Sequence, residues 1–257
     1  MENEQNSNIL SEVAGLAKFT ARVIHHMVNP PFENKEMLKQ CYFIGYKTLP
    51  LIAVTAFILG LVLTLQSRPV LVDFGAEALL PGMISVSIIR EIGPVVTALI
   101  CAGKIGSGIG AELGSMKVTE QIDAMEVSGT NPMKFLVTTR VLATTLMLPV
   151  LVFFADAISF VGSYVAVNLH GDLSVQLFLT DAFATLHFYD LLPATIKTFF
   201  FGFAIGVIGC YKGYTAGFGT EAVGRAANSA VVIASVAIFI IDMLVVELQH
   251  SMELLKF

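Results

Sequence analysis

Thr48-Leu-Pro-Leu-Ile-Ala-Val-Thr-Ala-Phe-Ile-Leu-Gly-Leu-Val-Leu-Thr-Leu-Gln-Ser67 is a run of twenty uncharged residues bracketed by Lys47 and Arg68. At 1.5 Å of rise per residue, about 20 apolar residues cross the roughly 30 Å of hydrocarbon in a bilayer. Outward from it, four comparable runs follow: Ala78–Gly103, Val141–Asn168, Leu191–Tyr211 and Ala226–Leu248. The composition agrees, with 55% apolar residues, 14% charged residues and a mean hydropathy of +0.77. Soluble domains carry about a quarter charged residues. The expectation is an all-α integral membrane protein with spans near 48–67, 78–103, 141–168, 191–211 and 226–248. Residues 1–46 then form an N-terminal cytoplasmic segment, and 47–257 the membrane domain.

Ahead of the first span, Ile9, Leu10, Val13, Leu16, Ala17, Val23, Ile24 and Met27 recur at three and four, with Glu12, Lys18, Arg22 and His26 largely between them. This is an amphipathic helix too charged to span, lying flat on the membrane or packed on a partner. Asn29-Pro30-Pro31 ends it. The polar start, Met1–Asn8, has neither the basic-then-apolar order of a signal peptide nor the arginines of a transit peptide.

Orientation follows the basic residues. Lys18, Arg22, Lys35, Lys39, Lys47, Lys104, Lys117, Lys134, Arg140, Lys212 and Arg225, eleven of the fifteen, share one side if the N-terminus is inside. The connection from Asn168 to Asp190 has none, only Asp172, Asp181 and Asp190. The positive-inside rule therefore places the N-terminus in the cytoplasm, and five spans put the C-terminus outside.

Several function classes drop out. A net charge of −5 without a basic cluster gives nucleic acid no footing. Cys41, Cys101 and Cys210 are far apart, and His25, His26, His170, His187 and His250 have no ligand spacing, so no metal is expected. Gly103-Lys104 is followed by Ile105 where a phosphate loop needs Ser or Thr, so the chain has no ATP site or bound cofactor of its own. No nucleophile–base constellation marks it as an enzyme.

Charges inside spans are costly and point to function. Glu91 lies about 20 Å in from Ala78, Asp156 is as deep from the other side, and Lys197 sits about 10 Å below the outer surface. With Asp242 they crowd the middle and outer half, either around an outward-opening polar cavity or pairing with each other, Lys197 with Asp156 for example. Arg90 and Glu91 point about 100° apart on a helix, so they seek different partners: Arg90 a neighbouring span or a lipid phosphate, Glu91 the cavity. Gly93-Pro94 bends the helix beside them.

Between the second and third spans, Gly106, Gly110 and Gly114 have the spacing that lets helices approach closely. Lys117–Val127 then forms a short acidic amphipathic helix, with Val118, Ile122 and Met125 on one face and Glu120, Asp123 and Glu126 on another, stopped at Gly129-Thr-Asn-Pro132. It either docks a soluble partner or lies against the chain's own spans.

Arg90-Glu91-Ile-Gly93-Pro94, Ala102-Gly103-Lys104-x-Gly106-Ser107, Ala111-Glu112-Leu-Gly114-x-Met116 and Glu120-Gln121-Ile-Asp123-Ala124-Met125 together resemble the MlaE/YrbE permeases of MCE-type ABC lipid transporters. The dense match covers residues 85–140, and the order of spans extends it over nearly the whole chain. The resemblance implies a non-catalytic permease in the bacterial inner membrane that moves phospholipids and serves outer-membrane lipid asymmetry. It implies a homodimer, a cytoplasmic ABC ATPase that binds the ATP and an extracytoplasmic MCE-domain protein, expected as a hexamer, with room for a small regulatory subunit. By the same resemblance Glu112, Lys117, Glu120, Gln121, Asp123 and Met125 belong to a coupling helix that engages the ATPase. The resemblance likewise implies that Leu63, Gln66, Phe74, Arg90 and Glu91 line the lipid pocket between the two permeases. The competing expectation is an ion- or proton-coupled secondary carrier using Glu91 and Asp156.

Overall fold

In hydrocarbon every backbone polar group must be satisfied within the chain, so apolar runs of this length become helices. The computed structural model describes residues 2–30, 33–169 and 173–254, and these hold nine helices and no strand. They are α1 (Glu2–Val28), α2 (Asn34–Tyr46), α3 (Leu49–Asp73), α4 (Glu77–Val118), α5 (Gln121–Val127), α6 (Met133–Asn168), α7 (Val175–Ala184), α8 (Phe188–Tyr214) and α9 (Thr220–Leu254). The five expected spans coincide with α3, whose N-cap is Thr48, and with α4, α6, α8 and α9, the helices long and apolar enough to cross a membrane. Pro31, His170 and Asp172 lie outside the described residues, as do the side chains of Ile9 and Leu10.

Three features exceed the sequence expectation. Helix α4 runs for 42 residues, on through the glycine-spaced segment, and is interrupted by π-turns at Ile88–Ile92 and Ala102–Gly106. Helix α6 starts at Met133 in a third π-turn, Met133–Thr138. The connection after Asn168 contains α7, whose N-cap Ser174 accepts a hydrogen bond from the Leu177 N–H at 3.2 Å.

Packing divides the chain into two interleaved units. The first comprises residues 1–44, 101–146 and 202–237. Here glycines let backbones meet: a Cβ on Gly110 would lie 3.3 Å from the Ala227 Cα, and one on Gly213 2.9 Å from the Gly110 carbonyl oxygen. Helix α1 is pinned by buried Phe19, whose ring packs edge-on against Tyr211 at 5.5 Å, and by Val23. Glu12 also pairs with Lys212. Val13 and Ile24 of α1 stay exposed. Burial, then the neighbouring His25, Lys134 and Arg22 charges, hold His26 below the usual histidine range.

The second unit comprises residues 45–100, 147–201 and 238–257. Helices α3 and α6 touch through Gly60 and Gly162, where added Cβ atoms would overlap the Ser159 and Phe57 carbonyl oxygens. Ser159 and Ser163 of α6 donate to the Ala56 and Gly60 carbonyls of α3 at 3.0 and 3.1 Å. Helix α7 packs on α4, with Ser85 donating to the Ala182 carbonyl at 2.6 Å. Leu80, Ile84 and Ile88 form a buried cluster flanked by Leu59, Leu63, Leu71 and Val167.

Candidate functional site

The second unit gathers the intramembrane charges around the first π-turn of α4. A π-turn fits one extra residue into a helical turn and recurs at functional sites. Here it holds Arg90 and Glu91, closed by the Gly93 N–H bonding to the Ile88 carbonyl. Pro94 follows with no N–H to donate.

These adjacent residues grip α8 two turns apart. Arg90 donates to Asp190, a carboxylate only 4% exposed that also accepts the His187 backbone N–H at 3.0 Å. Seven residues along α8, Lys197 Nζ lies 2.7 Å from Glu91 Oε2 and 2.8 Å from Asp242 Oδ1 of α9. Lys197 is 2% exposed, Asp242 19% and Glu91 43%. The sign order along α4, plus then minus, meets minus then plus along α8. One buried ammonium is thus shared by two carboxylates, one of which keeps an open flank.

Of the two alternatives, these charges pair with each other, but the example of Lys197 with Asp156 is corrected: the partners of Lys197 are Glu91 and Asp242. Arg90 reaches a neighbouring span through Asp190. Asp156, by contrast, faces a cavity. Its Oδ1 is buried with no hydrogen-bond partner among the described residues, in a small cavity lined also by Ile89, Pro94, Pro149, Phe153 and Thr198. Gly93 makes the room, because a Cβ there would overlap that oxygen. At about 10 Å³ the cavity holds at most a single water, so it is no lipid site.

The other residues assigned to lipid by resemblance sit at the chain's surface or beside its cluster. Gln66 and Phe74 are exposed, Phe74 by 81%, while Leu63 is partly buried against Leu80, Ile84 and Ile88. A separate cavity of about 290 Å³ is lined by Glu77, Ala78, Leu80, Pro81, Val167, Leu173 and Asp181, none of them among the expected residues.

In the first unit, the acidic helix expected between the second and third spans is α5. Its N-cap Glu120 has φ 57°, a left-handed conformation that L residues other than glycine seldom adopt. Ile122 is fully buried, Asp123 accepts from Lys117 at 2.8 Å, and Glu126 accepts from the Tyr214 hydroxyl at 3.2 Å. Glu112, back on α4, pairs at 2.9 Å with Arg140, which is 2% exposed and donates to the Leu136 carbonyl at 2.8 Å. That leaves Glu120, Gln121 and Glu126 exposed and Met125 half-buried, so the helix both lies on its own chain and presents a surface. Sequence reasoning missed Arg140, Asp190 and Tyr214; a basic residue in an uncharged run was the available signal for the first. Among the described residues no group of three or more His, Cys, Asp or Glu side chains could hold a metal ion.

A family model described as Permease MlaE matches residues 37–248. Among curated proteins, a probable ABC transporter permease from Rickettsia typhi is 39% identical over 232 residues, 90% of either chain. One from Synechocystis is 33% identical over 221 residues, covering 86% of this chain and 84% of that one. The chloroplastic Arabidopsis protein TRIGALACTOSYLDIACYLGLYCEROL 1 is 33% identical over 208 residues, covering 81% of this chain and 59% of that protein.

Proposed function

The chain belongs to the MlaE family of ABC transporter permeases, and from that premise we propose that it moves membrane lipids, phospholipids foremost, across or out of the inner membrane. A separate cytoplasmic ATPase drives it, and an MCE-domain protein outside exchanges the lipid. The observation that carries this reading is the network Arg90–Asp190 and Glu91–Lys197–Asp242, whose innermost members are buried while Glu91 keeps 43% of its side chain open. A charged group half-open beside an apolar surface suits a ligand with a polar head and apolar tails. Gln66 and Phe74 are exposed on the single chain, which suits a pocket completed by a second copy. One plant relative is named after a diacylglycerol lipid, which supports a lipid cargo here. The distribution of basic residues supports a cytoplasmic N-terminus, and exposed Val13 and Ile24 suit α1 to the cytoplasmic interface.

Purification from the native membrane in mild detergent, with mass spectrometry of the proteins and lipids that accompany it, tests the reading. An ATPase, an MCE-domain protein and one enriched lipid class are expected. A solitary protein without enriched lipid would sink it.

One observation favours a second reading, a proton-coupled carrier: the buried, unpartnered Oδ1 of Asp156. Such a carrier, reconstituted alone in vesicles, transports when a proton gradient is imposed; the permease does not.

A further inference from the structure

Two large apolar side chains of the first unit stand almost wholly in the open on adjoining inter-span segments. Val127, the last residue of α5, is 91% exposed, and Phe218, in the turn between α8 and α9, is 95% exposed. Burying such side chains is worth roughly 1.5–3 kcal/mol each, so a turn free to fold back would cover them. Both ends of this turn are held. The Ala216 N–H bonds to the Gly213 carbonyl at 3.2 Å and the Ala222 N–H to the Gly219 carbonyl at 3.1 Å. Gly219 takes φ +88°, a conformation that suits glycine, and so sets the direction in which Phe218 leaves the surface.

The two segments are joined. Tyr214, four residues before Phe218, donates from its hydroxyl to Glu126, the residue before Val127, at 3.2 Å. A Cβ on Gly114 of α4 would meet Ala216 of the turn at 3.5 Å. Charge narrows the possible occupant. Lys117 neutralises Asp123 and Arg225 neutralises Glu221, but no cation pairs with Glu120 or Glu126 among the described residues. An apolar tip beside unbalanced carboxylates is repelled by anionic lipid headgroups. It suits a protein surface with an apolar notch rimmed by lysine or arginine.

We propose that Phe218 and Val127 form one docking surface for the cytoplasmic ATPase, with the α8–α9 turn as a second contact beside the acidic helix. The inference rests on the permease reading above, because it takes the partner from there. On docking, Phe218 enters the partner's apolar notch and Glu120 and Glu126 meet its basic rim.

The test uses the whole transporter in its native membrane, with p-benzoylphenylalanine in place of Phe218 as a photoprobe. Alongside it, the double variant Phe218→Ala, Val127→Ala is compared with Phe218→Leu. Illumination is expected to link position 218 to the ATPase. The double variant should retain the ATPase about tenfold less well and Phe218→Leu close to normally. Both side chains are exposed, so unchanged elution and melting of the double variant verify its fold. If the wild type retains its ATPase, the double variant does so equally and the probe links only lipid or a second copy, the docking surface is refuted and the permease reading stands. If the wild type retains no ATPase, the permease reading itself fails and the inference falls with it.

Discussion

Lys197 and Asp156 are both buried in the second unit, and their surroundings give opposite expectations. Lys197 has two carboxylates within 2.8 Å. Replacing it by Met leaves Asp242 and Glu91 facing each other uncompensated, which should destabilise the protein by about 3 kcal/mol, the low end for a broken buried pair because Glu91 is half-open. Thermal unfolding in detergent measures this. Adding Glu91→Gln and Asp242→Asn to Lys197→Met should restore most of the melting temperature, and a triple variant as unstable as the single one would contradict it. Among the described residues Asp156 has no cation to balance it. Asp156→Asn keeps the shape and removes the ionisable group, so it should melt at or above the wild-type temperature. A loss above ~1 kcal/mol would mean that Asp156 has a partner the geometry does not reveal.

At the scale of helices, the α3–α6 contact depends on having no side chain at Gly60 and Gly162. Gly162→Val should drive the helices apart, costing about 1–3 kcal/mol as overpacking does. Ser159→Ala, which removes one hydroxyl bond to the Ala56 carbonyl, should cost only about 0.6 kcal/mol. Equal losses for the two would refute the close contact. This scale also separates what was legible in the sequence from what was not. The five spans could be read because soluble folds seldom string together uncharged runs of membrane length, and α5 because its apolar residues recur at helical spacing. Helix α7 was hidden: ten residues carrying Asp181 are too short to span and too apolar to look like a surface helix. The ion pairs were hidden for another reason. Depth along a helix can be counted, but the direction a side chain faces depends on each turn before it. The π-turn at Ile88–Ile92 shifts that direction, so Lys197 meets Glu91 where counting suggested Asp156. Fully exposed Phe218 was passed over because a lone phenylalanine between two glycines has no periodicity to betray it.

For the molecule as a whole, the orientation drawn from its lysines and arginines can be checked on two exposed positions. In a background with Cys41→Ala, a membrane-impermeant maleimide should label Phe74→Cys in intact spheroplasts and Val127→Cys only once the membrane is opened; Cys101 and Cys210 are buried. The reverse pattern would place the N-terminus outside. The shared ammonium of Lys197 has a further consequence, for the order in which the chain is made. A lysine within a span resists partition into lipid, by up to about 2.5–3.5 kcal/mol at the span's centre. When α8 leaves the ribosome, Glu91 is already in the membrane and can receive Lys197. Asp242 has not yet been synthesised. Helix α9 partitions after α8 and completes the neutralisation, so a chain truncated before it keeps a half-balanced cation in the bilayer, a mark by which membrane proteases could tell an unfinished permease from a finished one.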